Sequence, residues 1–186
     1  MADTPATTTD NQPPAEASAP LRVLVVDDHA LVRSGVRSEL TAHAPDLDVI
    51  AEADDVEGAI AAVHALRPDV VLLDVHLPGG NGGGGAEVVA SCHDVPETCF
   101  LALSVSDASD DVVGVIRAGA RGYVTKAIST ADLAQAVRRV AAGDAAFSAG
   151  VARDLIDAVT AAGPGTPAAD RDDQVPTEVV KDRYRR

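Results

Sequence analysis

Short apolar runs alternate five times with longer amphipathic segments in this chain. The runs are residues 23–26, 49–53, 70–73, 99–103 and 122–125. Runs of this length between breaking residues are typical of strands buried on both faces of a parallel sheet. Because right-handed crossovers place helices on both sides of such a sheet, the alternation predicts a doubly wound α/β fold with a five-stranded parallel sheet.

The segments between the runs have the spacing of helices that bury one face. In residues 30–42, Val32, Val36 and Leu40 recur every four positions, as the core-facing side chains of a helix do. The same reasoning predicts four further helices. One lies between Asp55 and Pro68, one over residues 86–91, one in the segment that ends at Gly119, and one over residues 131–142.

The two ends of the chain differ from the middle in composition. Residues 1–20 and 163–186 contain much Ala, Thr, Pro and Asp and few large apolar side chains. They cannot bury enough apolar surface to offset the entropy lost on ordering, so both are predicted to be disordered. The folded domain is predicted to span residues 21–143, and a linker helix is predicted within residues 144–162.

The charge of the chain restricts its partners. Asp and Glu number 29 against 15 Lys and Arg, a net charge of -14, so direct binding of nucleic acid or anionic lipid is not expected. No apolar run approaches the ~18 residues of a membrane span, and no secretory signal is visible. Cys92 and Cys99 are predicted to be buried thiols in a reducing compartment. A cytoplasmic protein without a membrane partner is therefore predicted.

Polar side chains follow the apolar runs at their carboxyl ends. Asp27 and Asp28 follow the first run, Asp74 the third, Ser104 the fourth and Lys126 the fifth. Ligands of open α/β sheets bind beyond the carboxyl ends of the strands, so we expect these side chains to converge. Three neighbouring carboxylates repel one another unless a cation joins them, and Mg²⁺ prefers such oxygen ligands.

This set of side chains suits phosphoryl chemistry. A carboxylate can act as a nucleophile and become an acyl phosphate. The charge on the phosphoryl oxygens must then be shared with a metal, an ammonium and a hydroxyl. Asp74, Mg²⁺, Lys126 and Ser104 can supply these parts.

The chain resembles the receiver domain of two-component response regulators over roughly residues 21–142. The resemblance rests on the order of residues along the chain, which is an acid pair, an acceptor Asp, a hydroxyl, an aromatic residue and a Lys. Residues 27–36 and 118–126 resemble the NarL/FixJ (LuxR-type) subgroup, whose members usually carry a C-terminal helix-turn-helix. No helix-turn-helix pattern follows Gly163. The resemblance implies a flavodoxin-like strand order of 2-1-3-4-5.

The resemblance also implies a role for each matched residue. Asp74 is the phospho-acceptor, and Lys126 contacts the phosphoryl group. Asp28 is the direct Mg²⁺ ligand, Asp27 is the acid that reaches the metal mainly through water, and His76 binds the metal through its backbone carbonyl. Ser104 carries the hydroxyl that responds to the phosphoryl group, and Tyr123 is the aromatic residue that turns inward. The implied function is non-enzymatic. A sensor histidine kinase phosphorylates Asp74, and the changed conformation signals in transcriptional control, with a homodimer as one outcome.

Two alternative functions stay open at this point. One is a small Mg²⁺-dependent phosphohydrolase with an Asp nucleophile, although such enzymes commonly have a second acid where this chain has His76. The other is a degenerate receiver that serves only as a docking module. Two departures from the family pattern are Ala127, where many receivers have Pro, and the glycine-rich loop of residues 79–85, which is longer than usual.

Overall fold

The computed structural model describes residues 19–105, 109–148 and 150–152. The predicted disordered ends lie outside these ranges except for residues 19 and 20. Most of the predicted linker helix, residues 144–162, also lies outside them. Among the described residues, no helix is both long enough and apolar enough to cross a bilayer.

Strands and helices alternate along the described chain. In order they are β1 (Leu21–Val26), α1 (Ala30–His43), β2 (Leu47–Ala53), α2 (Val56–Leu66), β3 (Val70–Asp74), α3 (Gly84–Ser91), β4 (Cys99–Ser104), α4 (Ser109–Ala118), β5 (Gly122–Thr125), α5 (Thr130–Ala141) and β6 (Ala146–Phe147). The five predicted strands and five predicted helices are all present, and their ends lie close to the predicted ones.

The strands form one parallel sheet in the order β2-β1-β3-β4-β5-β6. The predicted doubly wound α/β class and the order of β1 to β5 are confirmed, but the sheet has a sixth strand that was not predicted. The two residues of β6 pair with Gly122 and Tyr123 of β5. They lie within the segment predicted as a linker helix, in which the described residues 150–152 are helical.

The apolar core has one layer on each face of the sheet. On one face, the strands pack against Val63 of α2, Val88 of α3 and Val115 of α4. On the other face, they pack against Leu40 of α1 and Val137 of α5. Every residue of β3 and β4 is buried, which explains why these runs are almost wholly apolar.

The helices differ in how closely they follow the predicted pattern. In α5, Leu133, Val137 and Val140 are all buried as predicted. In α1 only Leu40 is buried, whereas Val32 and Val36 are partly exposed. Helix α1 therefore covers the sheet less completely near its N-terminus, which lies close to the functional site.

Candidate functional site

Two carboxylates lie side by side where β1 and β3 end. The two strands pair in parallel with Val26 opposite Leu73, so the residues that follow, Asp27 and Asp74, are neighbours. Asp27 is only 1% exposed and Asp74 only 4%. Such burial is costly for an ionised carboxylate unless an opposite charge compensates it.

Lys126 supplies that charge from the loop between β5 and α5. Its Nζ lies 2.7 Å from Asp27 Oδ2 and 2.7 Å from Asp74 Oδ2. Its backbone N–H donates to the carbonyl of Ser104 at 2.7 Å, which fixes the loop against β4. Burial alone would lower the pKa of Lys126, but the contacts with Asp27 and Asp74 outweigh it, and this pKa is raised. Lys126 is therefore an ammonium at neutral pH.

The acidic groups at this edge fit a hard divalent cation. One ligand atom from each of Asp27, Asp28, His29 and Asp74 lies within 4.8 Å of the others. Asp27 Oδ2 is buried, and Lys126 Nζ lies 2.7 Å from it. Carboxylate oxygens are the ligands that Mg²⁺ prefers, and one ammonium contact leaves a second lone pair of such an oxygen available.

His29 belongs to the cluster but was not predicted. Its Nδ1 lies 2.6 Å from Asp28 Oδ1 and 3.3 Å from Asp27 Oδ1. Its backbone N–H donates to Asp27 Oδ1 at 2.9 Å, so the residue also orients the Asp27 carboxylate. The only sequence signal was its position directly after the acid pair.

His76 lies beside Asp74 on the outer side of the site. Its backbone N–H donates to Asp74 Oδ1 over 3.3 Å. Its side chain is exposed and places Nε2 3.2 Å from Asp111 Oδ2 of α4. The backbone N–H of His76 thus contacts Asp74 while its imidazole contacts a different element, and the metal-binding role of its carbonyl stays a prediction.

Ser104 and Tyr123 are both fully buried. Ser104 is the last residue of β4 and lies opposite Thr125 of β5. Because Asp74 lies opposite Leu103, Ser104 is one position beyond Asp74 on the neighbouring strand. The side chain of Tyr123 lies in the apolar cluster on the α2, α3 and α4 face. The positions suit the predicted pair of switch residues, and the switch itself stays a prediction.

The glycine-rich loop after β3 forms one wall of a cleft beside the acids. The cleft has a volume of about 490 Å³ and is lined by Asp28, His76, Gly83 and Asp111, among others. The loop is held from two sides, because Gly80 N–H donates to Glu57 Oε1 at 2.8 Å and Asn81 N–H donates to Glu87 Oε2 at 2.9 Å. The long loop therefore has a defined conformation at the entrance to the site.

The model of the response regulator receiver domain family matches residues 23–138. The DNA-binding transcriptional activator DevR/DosR of Mycobacterium tuberculosis is 42% identical over 127 aligned residues, covering 66% of this chain and 55% of that protein. The nitrate/nitrite response regulator protein NarL of Escherichia coli is 35% identical over 130 residues, covering 69% of this chain and 58% of NarL. The chain thus spans little more than half the length of these relatives.

A solved structure agrees with this result. The two-component response regulator of the LuxR family from Aurantimonas sp. SI85-9A1 superposes with a TM-score of 0.69 and 32% sequence identity, covering 76% of this chain and 99% of that one. The fold, the order of the strand-end residues and these matches agree with one another. The chain therefore belongs to the response regulator receiver domain family, with relatives of the NarL/LuxR type.

Proposed function

We propose that Asp74 accepts a phosphoryl group from a phosphohistidine of a sensor histidine kinase. The observation that carries this proposal is the position of Lys126, whose ammonium lies 2.7 Å from both Asp74 and Asp27. This contact brings together the ends of three strands in a site open to a cleft. In this role the chain is a signalling domain that turns over no substrate of its own.

The transfer forms one bond and breaks another. A carboxylate oxygen of Asp74 attacks phosphorus, and the bond between phosphorus and the imidazole nitrogen breaks. The electron pair stays on that nitrogen of the donor histidine, and Asp74 becomes an acyl phosphate. Lys126 holds the Asp74 carboxylate in place through the 2.7 Å contact, and its ammonium can then contact a phosphoryl oxygen. The hydroxyl of Ser104 can donate to another phosphoryl oxygen.

The acids supply the remaining part of the site. Asp27, Asp28 and Asp74, with the backbone carbonyl of His76, would hold Mg²⁺. When bound, the ion supplies positive charge to the phosphoryl oxygens, which carry the negative charge during transfer. The gathering of ligand atoms from Asp27, Asp28 and Asp74 within 4.8 Å of one another supports this assignment.

The output is a shift between two conformations. A phosphoryl group on Asp74 attracts Ser104, and Tyr123 responds, so that the face formed by α4, β5 and α5 changes its shape. Altered self-association, for example a homodimer, or altered partner binding follows. Because relatives of this chain are named as transcriptional regulators, we extend the proposal to transcriptional control. The net charge of -14 argues against direct contact of this chain with DNA.

The test uses acetyl phosphate as the donor. The chain is incubated with acetyl phosphate and Mg²⁺, and its intact mass is measured for the wild type, Asp74→Asn and the control Asp48→Asn, an exposed acid of β2. We expect one added phosphoryl group in the wild type and the control and none in Asp74→Asn. No gain by the wild type, or equal gain by Asp74→Asn, contradicts the proposal. Sustained hydrolysis of an added phosphomonoester would favour the phosphohydrolase instead.

A further inference from the structure

An arginine of α1 contacts the backbone of the acid pair. Arg33 lies in the first turns of α1, and its side chain is only 14% exposed. Its Nη1 donates a hydrogen bond to the backbone carbonyl of Asp27. That carbonyl belongs to the peptide bond that joins Asp27 to Asp28, so the contact bears directly on how the two acids are placed relative to each other.

A second contact joins the guanidinium of Arg33 to β2. Arg33 Nε donates to Glu52 Oε2 at 3.3 Å, and Glu52 lies opposite Val25 in the sheet. The hydrogen bond from Arg37 lowers the pKa of Glu52 and outweighs burial, which raises it. The hydrogen bond from Arg33 lowers this pKa further. Glu52 is thus a carboxylate at neutral pH, and Arg33 bridges it to the carbonyl of Asp27.

We infer that Arg33 is a positioning residue for the divalent-cation site, acting through the peptide group between Asp27 and Asp28. Residues that orient metal ligands from the second layer commonly change metal affinity 10–100-fold when they are removed. A guanidinium can hold a carbonyl and a carboxylate at once, because its donors form a rigid fork. The inference rests on the proposed function, in which these acids hold Mg²⁺.

The chain offers a matched control on the same helix. Arg37 lies one turn further along α1, and its Nε donates to Glu52 Oε1 at 2.6 Å. Its Nη1 donates to the carbonyl of Val49 at 3.1 Å. Arg37 thus shares the carboxylate partner of Arg33 and joins the same helix to β2, but neither of these hydrogen bonds reaches Asp27. Removal of either arginine also changes the net charge equally.

The first experiment measures Mg²⁺ binding by isothermal titration calorimetry on the full chain without a phosphodonor. We expect Arg33→Met to raise the Mg²⁺ Kd by roughly 10-fold, and Arg37→Met to change it by less than about twofold. Arg33→Lys keeps the charge but not the fork, so its Kd should lie between those of the wild type and Arg33→Met. If Arg33→Met is unfolded at the temperature used, Arg33→Lys carries the comparison, and a wild-type Kd in that variant overturns the inference.

The second experiment separates positioning from general stability. The initial rate of Asp74 labelling by acetyl phosphate is measured against Mg²⁺ concentration. In Arg33→Met the half-saturating Mg²⁺ concentration should rise by the same factor as the Kd, while the rate at saturating Mg²⁺ stays within about twofold of the wild type. A fall in that maximal rate with unchanged half-saturation overturns the inference.

The outcomes for the two proposals are distinct. If the wild type binds Mg²⁺ and is labelled on Asp74, but Arg33→Met and Arg37→Met have equal Kd values, the Arg33 inference alone is wrong. If the wild type binds no Mg²⁺ or gains no phosphoryl group, the proposed function is wrong.

Discussion

At the scale of single residues, the balance of charge at the site depends on Lys126. Its ammonium lies between two carboxylates that are almost fully buried, and Asp28 adds a third acid nearby. One cation does not neutralise three anions, so the site retains net negative charge. This excess explains why a divalent cation fits the site and why loss of Lys126 should be costly.

Replacement of Lys126 by Met should lower stability in a way that Mg²⁺ reverses. Without the ammonium, Asp27 and Asp74 are two buried carboxylates with no opposite charge, and we expect the free energy of unfolding to fall by about 3 kcal/mol without divalent ions. Added Mg²⁺ should stabilise Lys126→Met more than it stabilises the wild type. Urea denaturation with and without Mg²⁺ measures both quantities.

The control for this change is Arg117→Met, which removes an exposed cation of α4. Its stability should stay within about 0.5 kcal/mol of the wild type. Equal stability of Lys126→Met and Arg117→Met, with equal responses to Mg²⁺, would show that the ammonium does not compensate the carboxylates as described.

Some site residues could be predicted from the sequence and others could not. The difference lies in what places each residue in the site. Asp74, Ser104 and Lys126 follow apolar runs, and the geometry of a parallel sheet alone brings strand ends to one edge. His29 and Arg33 lie in α1 or just before it, and their contacts depend on side-chain conformations and on the angle of the helix. Neither leaves a periodic signal, so neither was predicted.

At the scale of elements, the segment from β3 to α3 holds the backbone of Asp74. Gly85 N–H donates to the carbonyl of Val75 at 2.9 Å. A Cβ on Gly85 would lie 2.5 Å from the carbonyl oxygen of Asp74, so only glycine allows α3 to approach β3 this closely. Helix α3 accordingly begins at Gly84 rather than at Ala86, the start that was predicted from helix-forming residues alone.

Substitution of Gly85 by Ala should therefore disturb Asp74 through its backbone. We expect Gly85→Ala to lower the free energy of unfolding by about 1–3 kcal/mol, because the methyl group overpacks a buried contact, and to slow labelling of Asp74 by acetyl phosphate. Urea denaturation and the labelling rate measure the two effects.

Gly35→Ala is the matched control for that substitution. Gly35 lies inside α1 with open space where a Cβ would be, so alanine should stabilise the protein by about 0.5–1 kcal/mol. If Gly85→Ala is as stable as Gly35→Ala, the close approach of α3 to the backbone of Asp74 does not constrain residue 85.

At the scale of the whole molecule, contacts between distant parts of the chain hold α5 against α1 and the loop that follows α1. Thr130 of α5 donates to Glu39 of α1 at 2.8 Å, and Arg138 donates to both oxygens of Asp46, in the loop between α1 and β2, at 2.7 and 2.8 Å. The sheet order that brings these helices together was implied by the family resemblance, since local periodicity carries no information on strand order. The two-residue strand β6 is too short for any periodic pattern.

The Arg138–Asp46 pair predicts how stability changes with pH. The hydrogen bonds from Arg138 lower the pKa of Asp46 below its usual 3.8. A carboxyl with a lowered pKa stabilises the fold above its unfolded pKa, and this contribution is lost as pH falls through the folded value. Arg138→Met should thus be less stable than the wild type by at most about 1 kcal/mol near neutral pH, since the pair is exposed.

Below the pKa of Asp46 this difference should shrink. Chemical denaturation of the wild type and Arg138→Met across acidic pH measures it, and Asp46→Asn should show the same loss as Arg138→Met. A difference that grows as the solution becomes more acidic would contradict the assignment.

The central claim is that Asp74 carries the phosphoryl group, and chemical trapping tests it most directly. Borohydride reduces an acyl phosphate of aspartate to the alcohol of homoserine, which peptide mass spectrometry then locates in the sequence. After labelling with acetyl phosphate and Mg²⁺, we predict homoserine at position 74 and at none of the other 21 aspartates in the chain. Homoserine at Asp27 or Asp28 instead, or its absence from a chain that has gained a phosphoryl group, would contradict the account.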